Sequence, residues 1–156
     1  MIRVLFVCLG NICRSPMAEA VFRNMVANAG LENKIFADSA GTGSWHIGKP
    51  PHEGTRNVLK SKGIDTAGMT GRQVKKQDLA HFDYIIAMDA SNEENLRRFA
   101  SENEAGKIRR LLDFLPESDL RDVPDPYYTG NFEEVYDLVE KGCRRLLEYI
   151  RERENL

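Results

Sequence analysis

The chain has 156 residues, of which 42% are hydrophobic and 29% charged, and its formal net charge is −2. A chain of this length is most often one domain, so we expect a single domain over residues 1–156 whose core needs no disulfides. The nearly neutral charge argues against a protein that coats nucleic acid. No apolar run approaches the ~18–20 residues that span a membrane, so we expect no membrane partner.

The N-terminal apolar stretch Met1–Cys8 is too short for the core of a signal peptide, and no lipidation motif is visible. We interpret it as a buried strand. The three cysteines are an odd number and too few for a disulfide scaffold. Free thiols are typical of a reducing compartment, so we expect a cytoplasmic protein.

Apolar and β-branched runs predict four strands along the chain. These runs are Ile2–Val7, Ile35–Ser39, Tyr84–Met88 and Ile108–Leu112. Segments rich in glycine and proline predict loops over residues 41–51 and 113–130. A loop as long as the second is usually functional or disordered in a compact domain.

Helices are predicted between and after the strands. The first has Ser15 as its N-cap and Pro16 at its first position, and it ends at Gly30. The others are Glu53–Lys62, a helix opened by the capping box Ser91–Glu94, and the amphipathic segment Phe132–Ile150. Strands that alternate with helices indicate an α/β fold, in which helices cover both faces of a parallel sheet. Ligands of such sheets bind at the carboxyl ends of the strands.

The segment Cys8–Ser15 joins the first strand to the first helix. Unpaired N–H groups and the dipole at a helix N-terminus attract anions, most commonly phosphate. Gly10 and Asn11 are residue types that accept the positive φ angles of a tight cradle. The segment lacks both the Gly-Lys-Ser/Thr of a P-loop nucleotide triphosphatase and the three glycines of a dinucleotide fingerprint. The sequence therefore predicts a phosphate-binding loop of another kind.

Cys8 and Arg14 give this loop a predicted chemistry. A thiol that faces N–H donors at a helix N-terminus ionises readily to the nucleophilic thiolate. The planar guanidinium of Arg14 can bind two phosphoryl oxygens at once, and the hydroxyl of Ser15 can donate to the thiolate. A small buried residue at the end of a core strand is the other interpretation of Cys8. The strand before it and the helix after it favour the nucleophile.

No metal site is predicted. The three histidines, His46, His52 and His81, are scattered along the chain, and no Cys-x-x-Cys pair is present. Cys143 falls on the apolar stripe of the last helix, which predicts a core residue.

Asp125 lies between two prolines in the predicted loop 113–130. A carboxylic acid on a stiff loop is a suitable proton donor to the leaving group of a phosphate ester. A Pro-Asp-Pro turn without catalytic role is an equally good interpretation. Tyr127, Tyr128 and Trp45 either pack in the core or form walls around a flat ring.

The run Val4–Ala20, together with Asp125–Tyr128, closely resembles the low-molecular-weight protein tyrosine phosphatases. Further family landmarks follow in the family's order: Asp38–Ala40, Gly48–Pro51, Arg72-Gln73, Asp83–Asp89 and Ser91-Asn92. The resemblance implies a three-layer sandwich with a four-stranded parallel sheet flanked by helices, and a phosphate-binding loop after strand 1. It implies no metal or cofactor, tyrosine-phosphorylated proteins or peptides as substrates, and inorganic phosphate as product. We expect a monomer or weak self-association.

By this resemblance Cys8 is the nucleophile and Arg14 binds the phosphoryl group in the transition state. Asp125 is the proton donor and then the base for the attacking water. Residues that resemble the family's phosphate-binding and supporting positions are Leu9, Gly10, Asn11, Ile12, Cys13, Ser15 and Ser39. Those that resemble the walls around the phosphotyrosine ring are Trp45, Tyr127 and Tyr128. Cys13 also resembles a second loop cysteine that can form a reversible disulfide with the nucleophile.

Other functions on this fold stay open. Protein-arginine phosphatases resemble this loop but carry threonine at the position of Ile12 and lack the pair Tyr127-Tyr128, so these residues favour phosphotyrosine. Arsenate reductases need two further redox cysteines, which Cys143 alone does not supply. A phosphocysteine carrier that passes phosphate on without hydrolysis would have little use for Asp125. A catalytically inactive phosphotyrosine-binding module is disfavoured because no residue of the cradle is missing.

Overall fold

The computed structural model describes residues 1–156, and its centre is one parallel sheet. The strands are β1 (Ile2–Cys8), β2 (Ile35–Gly41), β3 (Tyr84–Ala87) and β4 (Ile108–Arg110). They lie in the order β2-β1-β3-β4 and all pairs are parallel. β1 is therefore an inner strand that is covered on both faces, which explains its nearly unbroken apolar sequence.

Seven helices connect and cover the strands. They are α1 (Arg14–Asn28), α2 (Glu53–Ser61), α3 (Lys76–His81), α4 (Ala90–Arg97), α5 (Glu102–Ala105), α6 (Pro126–Thr129) and α7 (Phe132–Glu154). The pattern does not predict α3, α5 or α6, because helices of 4 to 6 residues are too short for a clear apolar periodicity. α6 lies inside the predicted loop 113–130, which also contains the end of a 3-10 turn over Leu111–Phe114.

Two hydrophobic layers pack against the sheet. Val4 and Phe6 of β1 face a layer that includes α1 and α7, whereas Leu5 and Val7 face the opposite layer with α3 and α4. Successive side chains of a strand point to opposite faces, so one strand serves both layers. The predicted three-layer α/β sandwich with a four-stranded parallel sheet is confirmed.

The strand order creates a crevice at the carboxyl edge of the sheet. β1 pairs with β2 on one side and with β3 on the other. Connections that leave neighbouring strands toward opposite sides open a space between them, where ligands of α/β sheets bind. Cys8 ends β1 opposite Gly41 of β2, and Asp89 lies two residues after the end of β3.

The start of α1 differs from the prediction. The helix begins at Arg14 with Cys13 as its N-cap, so Ser15 and Pro16 lie within its first turn. No side chain caps the helix, because the Ser15 hydroxyl lies 3.0 Å from the sulfur of Cys8 instead. The residue expected to cap the helix thus contacts the predicted nucleophile.

The start of α4 also differs. Ser91 lies within the helix, and Asp89 is the N-cap, whose side chain accepts a hydrogen bond from the N–H of Asn92 at 2.7 Å. Both Asp and Ser are good N-caps, so the sequence alone allows either start.

The predicted stripe of α7 forms much of the core. Its buried members are Val135, Val139, Cys143, Leu146, Leu147 and Ile150. No helix, including the 23-residue α7, combines the length and the hydropathy that crossing a membrane requires.

We expect Cys143→Ala to lower the free energy of unfolding by about 1 kcal/mol, because the sulfur is fully buried and its loss leaves a small cavity. Burial also raises the pKa of Cys143 above its usual range, so it is a thiol at neutral pH. Urea denaturation measures the change. Lys141→Ala on the exposed face of the same helix is the control and should change stability by less than about 0.5 kcal/mol. Equal losses in the two variants would contradict the core assignment.

Candidate active site

The segment between β1 and α1 forms a tight loop at the amino end of α1. Asn11 has a φ of 55°, as its residue type predicts. Gly10 does not lie in the positive-φ region, so that part of the prediction is wrong. Space is tight at Gly10 for another reason: a Cβ would lie 3.0 Å from the ring of His46, which would have to shift.

Asn11 holds the loop in shape. Its amide nitrogen donates to the hydroxyls of Ser15 at 2.7 Å and Ser39 at 3.0 Å, and its amide oxygen accepts from the backbone of Arg72 at 2.9 Å. The hydroxyl oxygen of Ser15 lies 3.0 Å from the sulfur of Cys8. Because Ser15 accepts from Asn11, its own proton is free to point at the sulfur.

Glu19 extends this network and is missed by the sequence reasoning. It accepts a hydrogen bond from the Ser39 hydroxyl at 2.7 Å and one from Arg23 at 2.8 Å. Burial raises the pKa of Glu19, although the hydrogen bonds from Ser39 and Arg23 act in the opposite direction. A signal was present, since Glu19 follows Ser15 by four residues and so shares its helix face.

Arg14 is almost completely buried, with 2% of its surface exposed. Its guanidinium donates to Asp89 at 2.6 Å, to the carbonyl of Val123 at 3.0 Å and to Asp125 at 3.3 Å. Burial alone would lower the pKa of Arg14, but the negative charges of Cys8, Asp89 and Asp125 raise it. Its Nε is buried without a protein partner. The guanidinium therefore stays charged and keeps hydrogen-bonding capacity for a ligand. Asp89 is a second residue that the sequence reasoning misses.

Asp125 fits both predictions made for it, the turn residue and the carboxyl group that faces the phosphate loop. It is the N-cap of α6, where one carboxylate oxygen accepts from the backbone of Tyr127 at 3.1 Å. The other oxygen is the one that lies 3.3 Å from Arg14. The turn therefore aims the carboxyl at the phosphate loop.

A cavity of about 370 Å³ brings the predicted site residues together. It is lined by Cys8, Leu9, Gly10, Ile12, Cys13, Arg14, Trp45, His46, Asp125, Tyr127 and Tyr128. Cys8 is 2% exposed, whereas Trp45, Tyr127 and Tyr128 are 65%, 53% and 75% exposed. The sulfur thus lies at the floor and the aromatic rings at the mouth. Three of the predicted residues, Asn11, Ser15 and Ser39, do not line the cavity. His46 is a lining residue that the sequence reasoning misses.

Cys13 lines the same cavity but differs chemically from a nucleophile. Burial raises the pKa of Cys13 to about 12, and the charges of Asp125 and Cys8 act in the same direction. Cys13 is therefore a neutral thiol at physiological pH. Both Cys8 and Cys13 are free thiols in the structure, and the reversible disulfide between them stays a prediction.

Glu19→Gln tests the buried carboxyl behind the loop. Folding raises the pKa of Glu19, so the folded protein holds this proton more tightly than the unfolded chain does. The stability gained in this way is present below the usual pKa of about 4.3 and is lost as the pH rises through the raised pKa. Glutamine stays neutral and avoids that loss. We expect the stability of E19Q relative to the wild type to increase over this pH range, as measured by urea denaturation. A difference that is the same at every pH would contradict the prediction.

The chain is similar over its whole length to proteins of known activity. Residues 3–156 match the family model described as low molecular weight phosphotyrosine protein phosphatase. The chain is 62% identical over 156 residues to the low molecular weight protein-tyrosine-phosphatase YfkJ of Bacillus subtilis, with 100% of both chains covered. The crystal structure of YfkJ superposes with a TM-score of 0.96 over 98% of this chain and 96% of that one.

Two further relatives differ in the activity that their names state. The low molecular weight protein-tyrosine-phosphatase PtpA of Staphylococcus aureus is 48% identical over 158 residues, covering 100% of this chain and 98% of that protein. The crystal structure of DARP, a drosophila arginine phosphatase, has a TM-score of 0.88 at 36% identity and covers 95% of this chain and 97% of that one.

Proposed function

Because this chain belongs to the low molecular weight phosphotyrosine protein phosphatases, we propose that it hydrolyses phosphotyrosine through a phosphocysteine intermediate on Cys8. One observation carries the proposal: a thiol, a buried guanidinium and a carboxyl line one cavity whose mouth is aromatic. The aromatic residues offer flat faces to the substrate ring. The loop N–H groups and Arg14 hold the phosphoryl dianion at the floor.

In the first step the thiolate of Cys8 attacks phosphorus, and the bond from phosphorus to the phenol oxygen breaks. Asp125 donates its proton to that oxygen, so tyrosine leaves as a neutral phenol. In the unliganded site Arg14 is shared between Asp89 and Asp125, at 2.6 and 3.3 Å. The phosphoryl group would compete for the longer contact, which frees Asp125 to face the leaving group.

In the second step Asp125, now a carboxylate, takes a proton from water, and the oxygen of that water attacks phosphorus. The bond from sulfur to phosphorus breaks and inorganic phosphate forms. The hydroxyl of Ser15, 3.0 Å from the sulfur, stabilises the departing thiolate of Cys8 by donating its proton in a hydrogen bond.

Every group in both steps belongs to one chain, so we propose a monomer or a weakly associating protein. The nucleophile must stay a free thiol, which suits a reducing compartment such as the cytoplasm.

Phosphoarginine is the second candidate substrate, because a named arginine phosphatase shares this fold. Ile12 lines the cavity, and its branched apolar side chain suits a phenyl ring better than a guanidinium. The exposed pair Tyr127 and Tyr128 also favours an aromatic substrate. These three residues support phosphotyrosine.

Phosphate release from matched peptides tests the substrate class. Peptides of one sequence that carry phosphotyrosine, phosphoserine or phosphoarginine are compared on the wild type and on Cys8→Ser. We expect turnover of phosphotyrosine alone, no effect of EDTA, and a fall to background in C8S because serine is not ionised. Faster hydrolysis of phosphoarginine would contradict the assigned substrate, and retained activity in C8S would contradict the mechanism.

Asp125→Asn separates a phosphatase from a carrier. Asparagine is also a good N-cap, so α6 should persist, but it cannot donate the proton. We expect kcat for phosphotyrosine to fall by about 10²–10⁴-fold. The loss should be smaller for 4-nitrophenyl phosphate, whose leaving group needs less protonation. Steady-state kinetics measure both. A carrier, which does not hydrolyse its phosphocysteine, would show no steady-state turnover in either protein, and an unchanged kcat would contradict the role of Asp125.

A further inference from the structure

A second cavity, of about 380 Å³, adjoins the active-site cavity and has no part in the proposed chemistry. Leu9 and Trp45 line both cavities, so they form the wall between them. We propose that this second cavity binds an apolar side chain of the substrate that neighbours the phosphotyrosine. The proposal rests on the proposed phosphatase function and adds a subsite that selects among phosphotyrosine sequences.

The wall between the cavities is built into the phosphate loop. Gly43 donates its N–H to the carbonyl of Leu9 at 2.8 Å, and Thr42 donates to the carbonyl of Cys8 at 2.9 Å. The indole of Trp45 lies directly on Gly43, where any Cβ would overlap the ring. The loop that carries Trp45 is therefore held on the loop that carries the nucleophile, and the second cavity keeps a constant position relative to the phosphate site.

The lining of the second cavity defines its chemistry. Val74 and Phe99 add apolar surface to that of the shared wall, and Thr42, Gln73 and Asn95 add neutral polar groups. Arg98 is the one charged lining residue, and its guanidinium already donates to Glu94 at 3.2 Å and to Asn95 at 3.1 Å. A lysine or arginine of the substrate would meet like charge there. An aliphatic or aromatic side chain would bury apolar surface without leaving a charge unpaired.

The distances along a peptide allow this placement. A phosphotyrosine ring between Trp45 and Tyr127 leaves the peptide backbone at the mouth, beside the exposed edge of the indole. An extended chain advances by about 3.3–3.6 Å per residue, so a side chain one to three positions away can cross a single ring. The same ring lines the neighbouring cavity.

Peptide selectivity tests the proposal. Leucine, alanine and lysine are placed in turn at each of three positions on either side of phosphotyrosine. We expect one position at which leucine raises kcat/KM about tenfold over alanine, while lysine gives no gain. Free phosphotyrosine measures the basal reaction, so its hydrolysis would survive a failure of the subsite alone. A flat panel, or a preference for lysine, would overturn the subsite.

Two variants assign the selectivity to this cavity. Asn95→Phe fills the cavity from α4, and it should remove the leucine preference while kcat/KM for free phosphotyrosine stays unchanged. Asn57→Phe makes the same change at an exposed position of α2 and should keep the preference. Arg98→Glu reverses the charge of an exposed lining residue and should raise kcat/KM for lysine peptides at the selective position. Two results would overturn the proposal: a leucine preference that persists in folded N95F, or an R98E variant that ranks the peptides in the same order as the wild type.

Discussion

A buried cation organises the active site. The guanidinium of Arg14 contacts two carboxylates, and each comes from a different part of the chain: Asp89 follows β3 and Asp125 begins α6. A buried guanidinium without such partners would be strongly destabilising. Its charge therefore holds the phosphate loop, the end of β3 and the segment before α7 together. These are the elements from which a site at the carboxyl edge of the sheet has to be built.

A hydrogen-bond network on the other side of the loop orients the groups that the cation brings together. Arg23 and Ser39 both donate to Glu19, Asn11 donates to Ser39 and Ser15, and the Ser15 proton remains for the sulfur. Each hydroxyl in this chain accepts one hydrogen bond and donates another. The donated hydrogen bonds therefore lead from Asn11 to the two serines and from them to Cys8 and Glu19. Asn11, at the centre of this network, is also the loop residue with a positive φ. A backbone conformation that few residues tolerate is thus stabilised by three hydrogen bonds of the Asn11 side-chain amide, two donated and one accepted.

The sequence predicts the sheet and the loop because their signals are local. A continuous apolar run specifies an inner strand, and the residues that follow it carry the chemistry. The sequence does not predict the roles of Asp89 and Glu19, because both act through contacts that the fold creates. Asp89 contacts Arg14, which is distant in sequence, and Glu19 contacts Ser39 of another element. Ser15 shows the opposite failure, since its capping preference is real but its hydroxyl contacts Cys8. Residues used for function break local rules in this way.

The same helix connects the catalytic cation with the proposed subsite. Asp89, the N-cap of α4, accepts from Arg14, and Arg98 and Phe99, which follow its last residue, line the second cavity. At 1.5 Å per residue, its 8 residues span about 12 Å. A rigid element of that length keeps the distance between the phosphate and the neighbouring cavity constant. A substrate that fills both would gain affinity without ordering either site, because the sheet has already placed them.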